Sequence, residues 1–315
     1  MKDVWLIGAG LMAQDYIKVL NDLNVNLTVI GRSEKSAKIC EEKTSQTVIS
    51  GGLDKFLLKK QALAEYVIVS VGVEKLYETT KQLLEAGIKN ILVEKPGAMI
   101  QSEFDEINML SHNKNANVII AYNRRFYAST LKALDIIKKD GGVTSFNFEF
   151  TEWAHVIESL EKAEGVKEKW FLANSTHVVD MAFYLGGNPK ELHSYTSGSL
   201  SWHPSASNFS GSGISEEGAL FNYQANWESA GRWSVEILTK ENRLIFRPME
   251  KLQIQKKGTI PQIFDESIDY TLDEKYKPGL FLQTKNFLEN KLDNMCTIEE
   301  QSNINKIYSK MANYL

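Results

Sequence analysis

Short apolar segments alternate with helical segments through residues 1–122 of the chain. The apolar segments are rich in Val and Ile and include DVWLI, NLTVI, YVIVS, NILVE and NVIIA, each typical of a strand buried on both faces of a sheet. The segments between them, such as LMAQDYIKVLNDL, carry apolar residues at helical spacing. This alternation predicts an α/β fold in which a doubly wound parallel sheet is covered by helices on both faces.

The pattern changes after Tyr122. Residues 127–142 predict one long amphipathic helix, and the later segments VTSFNFEFTEW, GALFNYQANW, GRWSVEILT, NRLIFRP and KLQIQKK alternate apolar and polar residues. Such a period of two is typical of a largely antiparallel, open sheet with one exposed face. Because 315 residues exceed what one core usually supports, we predict two domains, residues 1–122 and residues 123–315. Residues 194–215, rich in Gly and Ser, predict a mobile loop near a site.

Composition and charge exclude several classes of function. A formal net charge of −4 offers no basic surface for nucleic acid. No apolar run approaches the roughly 18 residues of a membrane span, and strand-like sequence from Asp3 leaves no room for a signal peptide. Cys40 and Cys296 lie far apart and form no metal-ligand spacing, so we predict no metal site and a reduced, cytoplasmic compartment.

The segment GAGLMA follows the first predicted strand and opens the first predicted helix. It places Gly8, Gly10 and Ala13 in a G-x-G-x-x-A pattern. Gly8 permits the tight turn, Gly10 allows the backbone to approach a pyrophosphate, and Ala13 allows the helix to pack close to the strand. At the start of a strand–helix–strand series, this pattern predicts a Rossmann dinucleotide site that includes Leu11 and Met12. The alternative is a glycine-rich turn that binds no ligand.

The end of the second predicted strand bears on the choice of dinucleotide. An acid there binds the ribose 2′-hydroxyl of NAD, whereas an arginine accommodates the 2′-phosphate of NADP. The chain reads VIGRSEKS, with Arg32 and Ser33 where the acid would stand. A guanidinium and a hydroxyl both suit a phosphate, so we predict NADP as the cofactor. The alternative is NAD, with Arg32 solvated and Glu34 in place of the missing acid.

Other polar residues follow the fourth, fifth and sixth predicted strands, in SVGVE, VEKPG and AYNRRFY. In doubly wound sheets the ligand lies outside the carboxyl ends of the strands. We therefore assign Ser70, Gly72, Glu94 and Lys95 to the cofactor site. Side chains alternate across a strand, so Glu94 and Lys95 are expected to point in opposite directions, while Pro96 restricts the turn.

Four motifs occur in order along the whole chain: GAGLMA, VEKP, NRRF and HVVD. In this order they resemble the glucose-fructose oxidoreductase / inositol dehydrogenase family, usually written Gfo/Idh/MocA. The resemblance implies an NAD(P)-dependent oxidoreductase acting on sugars, cyclitols, nucleotide sugars or small carbonyls. It also implies a C-terminal α/β domain that binds substrate and whose large open sheet forms the oligomer interface. A cis bond between Lys95 and Pro96 is a further implication.

The resemblance places Lys95 and His177 at the reacting atoms. Lys95 would hydrogen-bond the reacting oxygen, and His177 would take or deliver the proton. The sequence NSTH indicates Asn174 as the N-cap of a helix that carries His177 in its first turn. Both catalytic candidates have simpler interpretations, namely a lysine exposed at a strand end and a structural histidine on a helix.

The chain departs from the family pattern just before His177. Many relatives carry Asp four residues before the histidine, where this chain has Ala173. Asn174 either replaces that contact through its amide or only caps the helix, and a neutral amide cannot stabilise a protonated His177 as a carboxylate does. Asp180 shares a helical face with His177 and either orients it or a substrate hydroxyl, or is a structural carboxylate. We assign Asn174 and Asp180 to the substrate site.

Further residues are candidates for substrate binding. Of Arg124 and Arg125, one is expected to bind an anionic substrate group and the other to pair with an acid, and we assign the substrate role to Arg125. Trp153 and His155 follow a predicted strand and are candidates for a sugar pocket, because aromatic faces suit the apolar side of a pyranose. Core packing of Trp153 is equally compatible with the sequence. The Trp–His pair at 202–203 is a similar candidate.

Together these observations predict an NADP-dependent oxidoreductase that transfers a hydride between nicotinamide and a carbinol or carbonyl carbon of a sugar, nucleotide sugar or cyclitol. The missing acid before His177 leaves one alternative, a protein that binds NADP as a sensor or scaffold without catalysis. A reductase of a non-sugar carbonyl is a further alternative. Analogy predicts a homodimer or homotetramer that binds a small-molecule substrate and neither nucleic acid nor membrane.

Overall fold

The computed structural model describes residues 1–314, which divide into two compact units. The first unit comprises Met1–Asn123 and Leu272–Asn303, and the second comprises Arg124–Thr271 and the residues from Ile304. The sequence predicted two contiguous domains, 1–122 and 123–315. The second domain is not contiguous, because the chain returns to the first unit for residues 272–303.

Strands and helices are numbered in chain order. The strands are β1 Asp3–Ile7, β2 Asn26–Ile30, β3 Val48–Ile49, β4 Tyr66–Val69, β5 Asn90–Glu94, β6 Asn117–Ala121, β7 Ser145–Glu149, β8 Pro189–Ser197, β9 Asn208–Ser215, β10 Leu220–Asn226, β11 Ser234–Leu238, β12 Asn242–Phe246, β13 Gln253–Lys256, β14 Ile263–Phe264 and β15 Cys296–Thr297. The α-helices are α1 Leu11–Asp22, α2 Glu34–Thr44, α3 Gly52–Leu57, α4 Leu76–Ala86, α5 Gln101–Lys114, α6 Ala128–Lys139, α7 Ala154–Glu158, α8 Thr176–Gly186, α9 Thr271–Lys275, α10 Leu280–Leu288 and α11 Ile298–Ala312. Short 3₁₀ turns occupy Val73–Lys75 and Asn123–Phe126, and a π-helical turn occupies Phe171–Ser175.

The first unit is built on a sheet with the strand order β15-β6-β5-β4-β1-β2-β3. Neighbouring strands from β6 to β3 are parallel, and Leu6 of β1 pairs with Val29 on one side and with Ile68 on the other. Every residue of β4 is buried, as is every residue of β1 after Asp3. Burial of both strand faces is typical of a sheet covered on both sides. The predicted doubly wound parallel sheet is confirmed.

The C-terminal return adds an antiparallel strand to the edge of this sheet. Cys296 of β15 pairs with Ile120 of β6. The Phe287 ring of α10 packs edge-to-face against Tyr66 of β4, with ring centroids 5.3 Å apart. An amphipathic helix has the same sequence pattern whichever unit it joins, so the sequence did not indicate this return.

The second unit is built on a sheet with the strand order β14-β13-β12-β11-β7-β10-β9-β8, whose neighbours are antiparallel except for β7 and β10. Residues of β10 alternate between exposed and buried along its whole length. On the buried face, Phe146 stacks on Phe221 and Phe148 stacks on Tyr223, and α8 packs against β7. The mostly antiparallel sheet predicted from the period of two is confirmed.

Residues 194–215 do not form the loop that the sequence predicted. They contain the end of β8, a turn and all of β9, and Gly211 and Gly213 lie within β9. A Cβ at Gly211 would stand 2.5 Å from the Tyr223 ring, and a Cβ at Gly213 would stand 2.5 Å from the Phe221 ring. The aromatic rings of β10 therefore require these glycines, which mark close packing instead of a mobile segment.

The turn between β8 and β9 buries His203, which the sequence made a candidate for a sugar pocket. Its Nδ1 lies 2.7 Å from the Ala206 carbonyl oxygen, and its Nε2 lies 2.6 Å from the Tyr314 hydroxyl. The side chain is fully buried. Because both ring nitrogens are engaged inside the core, His203 is a structural residue, and the prediction that it lines a sugar pocket is wrong.

Burial lowers the pKa of His203 from 6.5 to about 4. Between these values the unfolded chain takes up a proton that the folded protein does not, so the free energy of unfolding should fall as the pH drops through this range. The total loss is about 3 kcal/mol, and it is absent above the upper pKa. Urea unfolding of the wild type and His203→Gln across this range tests the prediction. The variant should lose stability less steeply with acid, and equal slopes in the two proteins would contradict it.

Among residues 1–314, no helix combines the length and the apolar character needed to cross a membrane. The same residues contain no group of three His, Cys, Asp or Glu side chains placed to hold a metal ion. Cys40 and Cys296 are buried and are not joined by a disulfide.

Candidate functional site

The glycine turn between β1 and α1 is held against the end of β4. A Cβ at Gly8, whose φ is +129°, would stand 2.1 Å from the Ser70 carbonyl oxygen, so only glycine fits. Gly10 differs, because a Cβ there would meet nothing within 4 Å. Gly10 is the N-cap residue of α1, and Leu11, which follows it, is 74% exposed. Packing against Ser70 explains why residue 8 must be glycine. No such contact explains Gly10, which borders open space at the start of α1.

This open space fits a dinucleotide phosphate. The first turn of α1 contains no acidic residue, and its N-cap makes no side-chain hydrogen bond. The first N–H groups of the helix are therefore available as donors with a partial positive charge. The Ser70 hydroxyl is buried and has no hydrogen-bond partner in residues 1–314. Phosphate and ribose oxygens would satisfy these donors, so the residues present fit a dinucleotide.

Two other residues predicted to contact the cofactor have protein neighbours. Gly72 lies under the side chain of Glu74, whose nearest carboxylate oxygen would stand 2.5 Å from a Cβ at that position. The sulfur of Met12 lies 3.1 Å from the Lys277 amine. Their contacts with the cofactor stay predictions.

Arg32 and Ser33 lie at the end of β2, on the turn into α2. Ser33 is the N-cap residue of α2, and its hydroxyl accepts a hydrogen bond from the Ser36 amide at 3.2 Å. Arg32 is exposed, and within the described part of the chain its guanidinium forms no ion pair or hydrogen bond. Glu34, the alternative ribose ligand, is exposed in the first turn of α2. The turn therefore offers a solvated cation to a ligand, while Ser33 caps the helix.

Lys95 directly follows β5, and its bond to Pro96 is cis, as the resemblance implied. The residue is only 9% exposed, so its amine does not extend into bulk water. Glu94 accepts a hydrogen bond from the Tyr16 hydroxyl of α1 at 2.8 Å. Burial raises the pKa of Glu94, and the Tyr16 hydrogen bond opposes the rise. Glu94 therefore ties β5 to α1, and its contact with the cofactor stays a prediction.

His177 lies where the π-helical turn Phe171–Ser175 passes into α8. Asn174 is inside this turn, and its side-chain amide donates to the Glu152 carboxylate at 2.9 Å. The prediction that Asn174 caps the helix is wrong, because the helical backbone already begins at Trp170. π-Helical turns of this kind occur frequently at functional sites.

Glu152 is a candidate that the sequence reasoning missed. Its buried carboxylate accepts hydrogen bonds from the Asn174 amide and, at 2.8 Å, from the Ser175 hydroxyl. Its other oxygen lies 3.5 Å from the Arg232 guanidinium. Ala173 occupies the position where many relatives carry Asp, so Glu152 brings a carboxylate to the same turn from a different element.

The pairing of β7 with β11 explains why Glu152 and Arg232 meet. The two strands are antiparallel, with Glu149 opposite Ser234. Residues that follow β7 therefore lie beside residues that precede β11. In the sequence, the segment TEW follows β7 and the segment GRW precedes β11. These segments could have indicated the contact only if the pairing of the two strands had been known, and the sequence of one strand does not identify its partner.

Arg125 and Asp180, both predicted to bind substrate, bind each other. The Nε and Nη2 atoms of Arg125 donate to the two carboxylate oxygens of Asp180 at 3.0 and 2.6 Å. The side chains are 6% and 3% exposed, respectively, and the guanidinium lies 4.7 Å from the ring centroid of Tyr184. This bidentate pair joins the segment before α6 to α8. That contact is structural, and a substrate role for either residue stays a prediction.

Arg124, the neighbouring arginine, belongs to a different cluster. Its guanidinium stacks on Trp233 at 4.9 Å from the ring centroid, and Arg232 stacks on the same indole at 4.4 Å. The Trp233 ring lies 6.4 Å from the His177 ring. The Trp233 indole therefore lies near the predicted catalytic imidazole and carries two guanidinium groups.

Trp153, His155 and Trp202 line one cleft of about 570 Å³ in the second unit. Trp153 is 46% exposed, and Glu158 and Glu228 also line the cleft. Aromatic faces beside carboxylates suit the apolar faces and the hydroxyl groups of a sugar. The fold thus brings together three residues that the sequence predicted as lining a pocket, although nothing in the sequence indicated that they share one.

Comparison with known proteins finds a family model that matches the N-terminal part of the chain. Residues 2–122 match the Gfo/Idh/MocA family model, described as an oxidoreductase family with an NAD-binding Rossmann fold. No curated protein sequence matches the chain.

Solved structures match the chain over nearly its whole length. A levoglucosan dehydrogenase in complex with NADH and levoglucosan has a TM-score of 0.79 and 17% identity, over 98% of this chain and 96% of that chain. A dehydrogenase from Clostridium difficile has a TM-score of 0.76 and 20% identity, over 100% and 99%. A UDP-N-acetylglucosamine 3-dehydrogenase from Acidithiobacillus ferrooxidans has a TM-score of 0.74 and 11% identity, over 99% and 97%. At these identities the likeness establishes the fold. Over residues 2–122 the chain is therefore similar to the Gfo/Idh/MocA oxidoreductase family, and its Rossmann-like parallel sheet is accompanied by a second, mostly antiparallel sheet.

Proposed function

We propose that the protein is an NADP-dependent oxidoreductase that transfers a hydride between nicotinamide and a carbinol or carbonyl carbon. The observation that carries the proposal is the glycine turn, where Gly10 and the unpartnered Ser70 hydroxyl leave space and donors for a dinucleotide. The family match over residues 2–122 supports it. Bound nicotinamide would supply the hydride chemistry, while the protein supplies binding, orientation and proton transfer.

Lys95 and His177 are the proposed acid–base residues. In the direction of oxidation, the substrate C–H bond breaks as its hydride leaves, and the hydroxyl proton passes to His177. Lys95 donates a hydrogen bond to the reacting oxygen. The burial of Lys95 after β5 supports this role, because a hydrogen bond from a charged group is stronger where water is excluded.

We propose a sugar or nucleotide sugar as the substrate, with cyclitols as further members of the class. Proteins of the same fold include a levoglucosan dehydrogenase and a UDP-N-acetylglucosamine 3-dehydrogenase. The cleft lined by Trp153, His155 and Trp202 supports this class, because indole faces pack on the apolar side of a pyranose.

A homodimer or homotetramer and a cytoplasmic location complete the proposal. The exposed face of the sheet formed by β8, β9 and β10 carries Tyr195 and Leu220, which are 73% and 60% exposed. These side chains offer apolar contacts to a second copy of the chain. The two cysteines, Cys40 and Cys296, are not joined by a disulfide, which supports a reducing compartment.

Hydride transfer tests the proposed function. With NADP, the purified protein is expected to generate the absorbance of reduced nicotinamide when levoglucosan, UDP-N-acetylglucosamine or myo-inositol is added. Tight cofactor binding with no transfer from any of these compounds would favour the sensor or scaffold instead. The Glu152 carboxylate, which accepts hydrogen bonds from the turn before His177, weakens that alternative, because the alternative rested on a missing acid.

Arg32→Ala should raise the KM for NADP by about 10- to 100-fold, the effect of losing one or two hydrogen bonds to a charged phosphate. The KM for NAD should change little, because NAD has no 2′-phosphate. Lys43→Ala is the matched control, since it removes a positive charge from the other end of α2. Steady-state rates with both cofactors measure the effect. An equal loss with NADP and NAD would argue against NADP as the preferred cofactor.

A further inference from the structure

Two guanidinium groups of the second unit, those of Arg124 and Arg232, donate no side-chain hydrogen bond to residues 1–314, although Arg232 forms an ion pair with Glu152. Within the same residues, the Nε atom of Arg124 is buried without a partner. Arg125, by contrast, is fully engaged by Asp180. Buried polar groups are nearly always hydrogen-bonded, because an unsatisfied donor removed from water is costly. The buried Nε atom of Arg124 therefore indicates a ligand that the protein itself does not supply, and the Arg232 side chain, which is 48% exposed, is accessible to the same ligand.

Trp233 sets the positions of both groups. The Cζ atoms of Arg124 and Arg232 lie 4.9 and 4.4 Å from its ring centroid. Arg124 also lies over the Tyr127 ring at 5.8 Å, and Arg232 lies over the Trp153 ring at 4.7 Å. Stacking fixes the plane of a guanidinium while its N–H edge stays available for a bidentate anion.

The acids near the cluster do not occupy these donors. Glu152 lies 3.5 Å from Arg232, longer than a normal hydrogen bond, and its Oε1 already accepts two hydrogen bonds from the π-helical turn. Burial lowers the pKa of Arg124, as does the neighbouring charge of Arg232, while the carboxylates of Glu250 and Glu152 oppose that shift. The carboxylates of Glu152 and Glu250 stabilise the positive charge of the cluster. They do not accept hydrogen bonds from its guanidinium groups, whose N–H donors stay available to another partner.

The cluster lies beside the proposed proton acceptor, since the Trp233 ring is 6.4 Å from the His177 ring. Building on the proposed function, we propose that Arg124 and Arg232 bind an anionic group of the substrate, a carboxylate or a phosphate. The substrate class is then an acidic or phosphorylated sugar instead of a neutral one. Guanidinium forks match the geometry of both oxyanions.

Binding of three sugars that share one ring tests the proposal. Calorimetry on the NADP-loaded protein would compare D-glucose, D-glucuronate and D-glucose 6-phosphate, which differ in carrying a neutral group, a carboxylate or a phosphate. We expect at least one anionic sugar to bind about 10- to 100-fold more tightly than glucose, the ratio for one or two charge-assisted hydrogen bonds. Arg124→Gln and Arg232→Gln should each remove most of that ratio. Arg243→Gln removes a guanidinium paired with Glu236, and this matched control should keep the ratio.

Three results would overturn the anion site: no measurable binding of either anionic sugar, equal affinity for all three sugars, or the wild-type ratio in both arginine variants. If Arg124→Gln does not fold, Arg124→Lys keeps the charge without the fork and should show the same loss. Different results would overturn the anion site and the proposed function. Hydride transfer from neutral sugars that neither arginine variant affects would overturn only the anion site. Anion-selective binding without any hydride transfer would overturn only the proposed function.

Discussion

Replacing Lys95 with alanine should lower kcat by a factor of about 10²–10⁴. Lys95 is buried directly after β5, and in the proposed mechanism its ammonium group donates to the oxygen whose charge changes during hydride transfer. The substitution removes a fixed donor from a buried position, where electrostatic stabilisation of the transition state is strong. Initial rates at saturating cofactor and substrate measure the effect.

Lys89→Ala is the matched control for this experiment. Lys89 is exposed and precedes β5, so the same change at the opposite end of the strand should leave kcat unchanged. His177→Ala should lower kcat to a similar extent as Lys95→Ala. The effects of the two substitutions should not add in the double variant, because both residues serve one proton transfer. A wild-type kcat in folded Lys95→Ala protein would remove Lys95 from the mechanism.

Arg125→Ala should lower the free energy of unfolding by about 3–5 kcal/mol. The substitution removes the guanidinium that binds both oxygens of Asp180, a carboxylate only 3% exposed. An isolated charge in a buried position is costly, so Asp180→Ala, which isolates the arginine, should be similarly severe. Urea unfolding followed by tryptophan fluorescence measures both variants.

An exposed ion pair provides the control for the buried one. Arg243 of the pair with Glu236 is 41% exposed, and Arg243→Ala should change the free energy of unfolding by less than about 1 kcal/mol. Replacing Arg125 and Asp180 together by Met and Leu should destabilise far less than either single change, because no charge is left isolated. If Arg125→Ala instead keeps wild-type stability and raises the KM for substrate, Arg125 is a substrate residue as the sequence predicted.

The fold was largely predictable because its determinants are local. Strands buried on both faces have continuous apolar sequences, strands with one exposed face alternate, and a tight turn into a helix requires glycine at Gly8. The two misread segments lacked such a local determinant. Residues 194–215 were predicted as a loop because their glycines are explained only by rings on the neighbouring strand. Residues 272–303 were assigned to the second domain because a helical pattern does not identify the surface that it covers.

The candidate site was predictable only in part. Lys95 and His177 stand in motifs with recognisable spacing, whereas Glu152 stands in no motif at all. Its contact with the turn before His177 depends on the course of the chain beyond β7 and on a π-helical turn that no sequence pattern indicated.

By itself the sequence determined the two kinds of sheet and the glycine turn, because these depend on the spacing of residues along the chain, while the candidate acid–base residues followed from the family resemblance and stay predictions. Only the tertiary structure decided how the charged side chains are partnered: Arg125 binds Asp180, while Arg124 shares an indole with Arg232. The physical reason is that ion pairing and stacking depend on which strand ends and helices lie side by side. The antiparallel pairing of β7 with β11 and the packing of α8 against both strands set those neighbours.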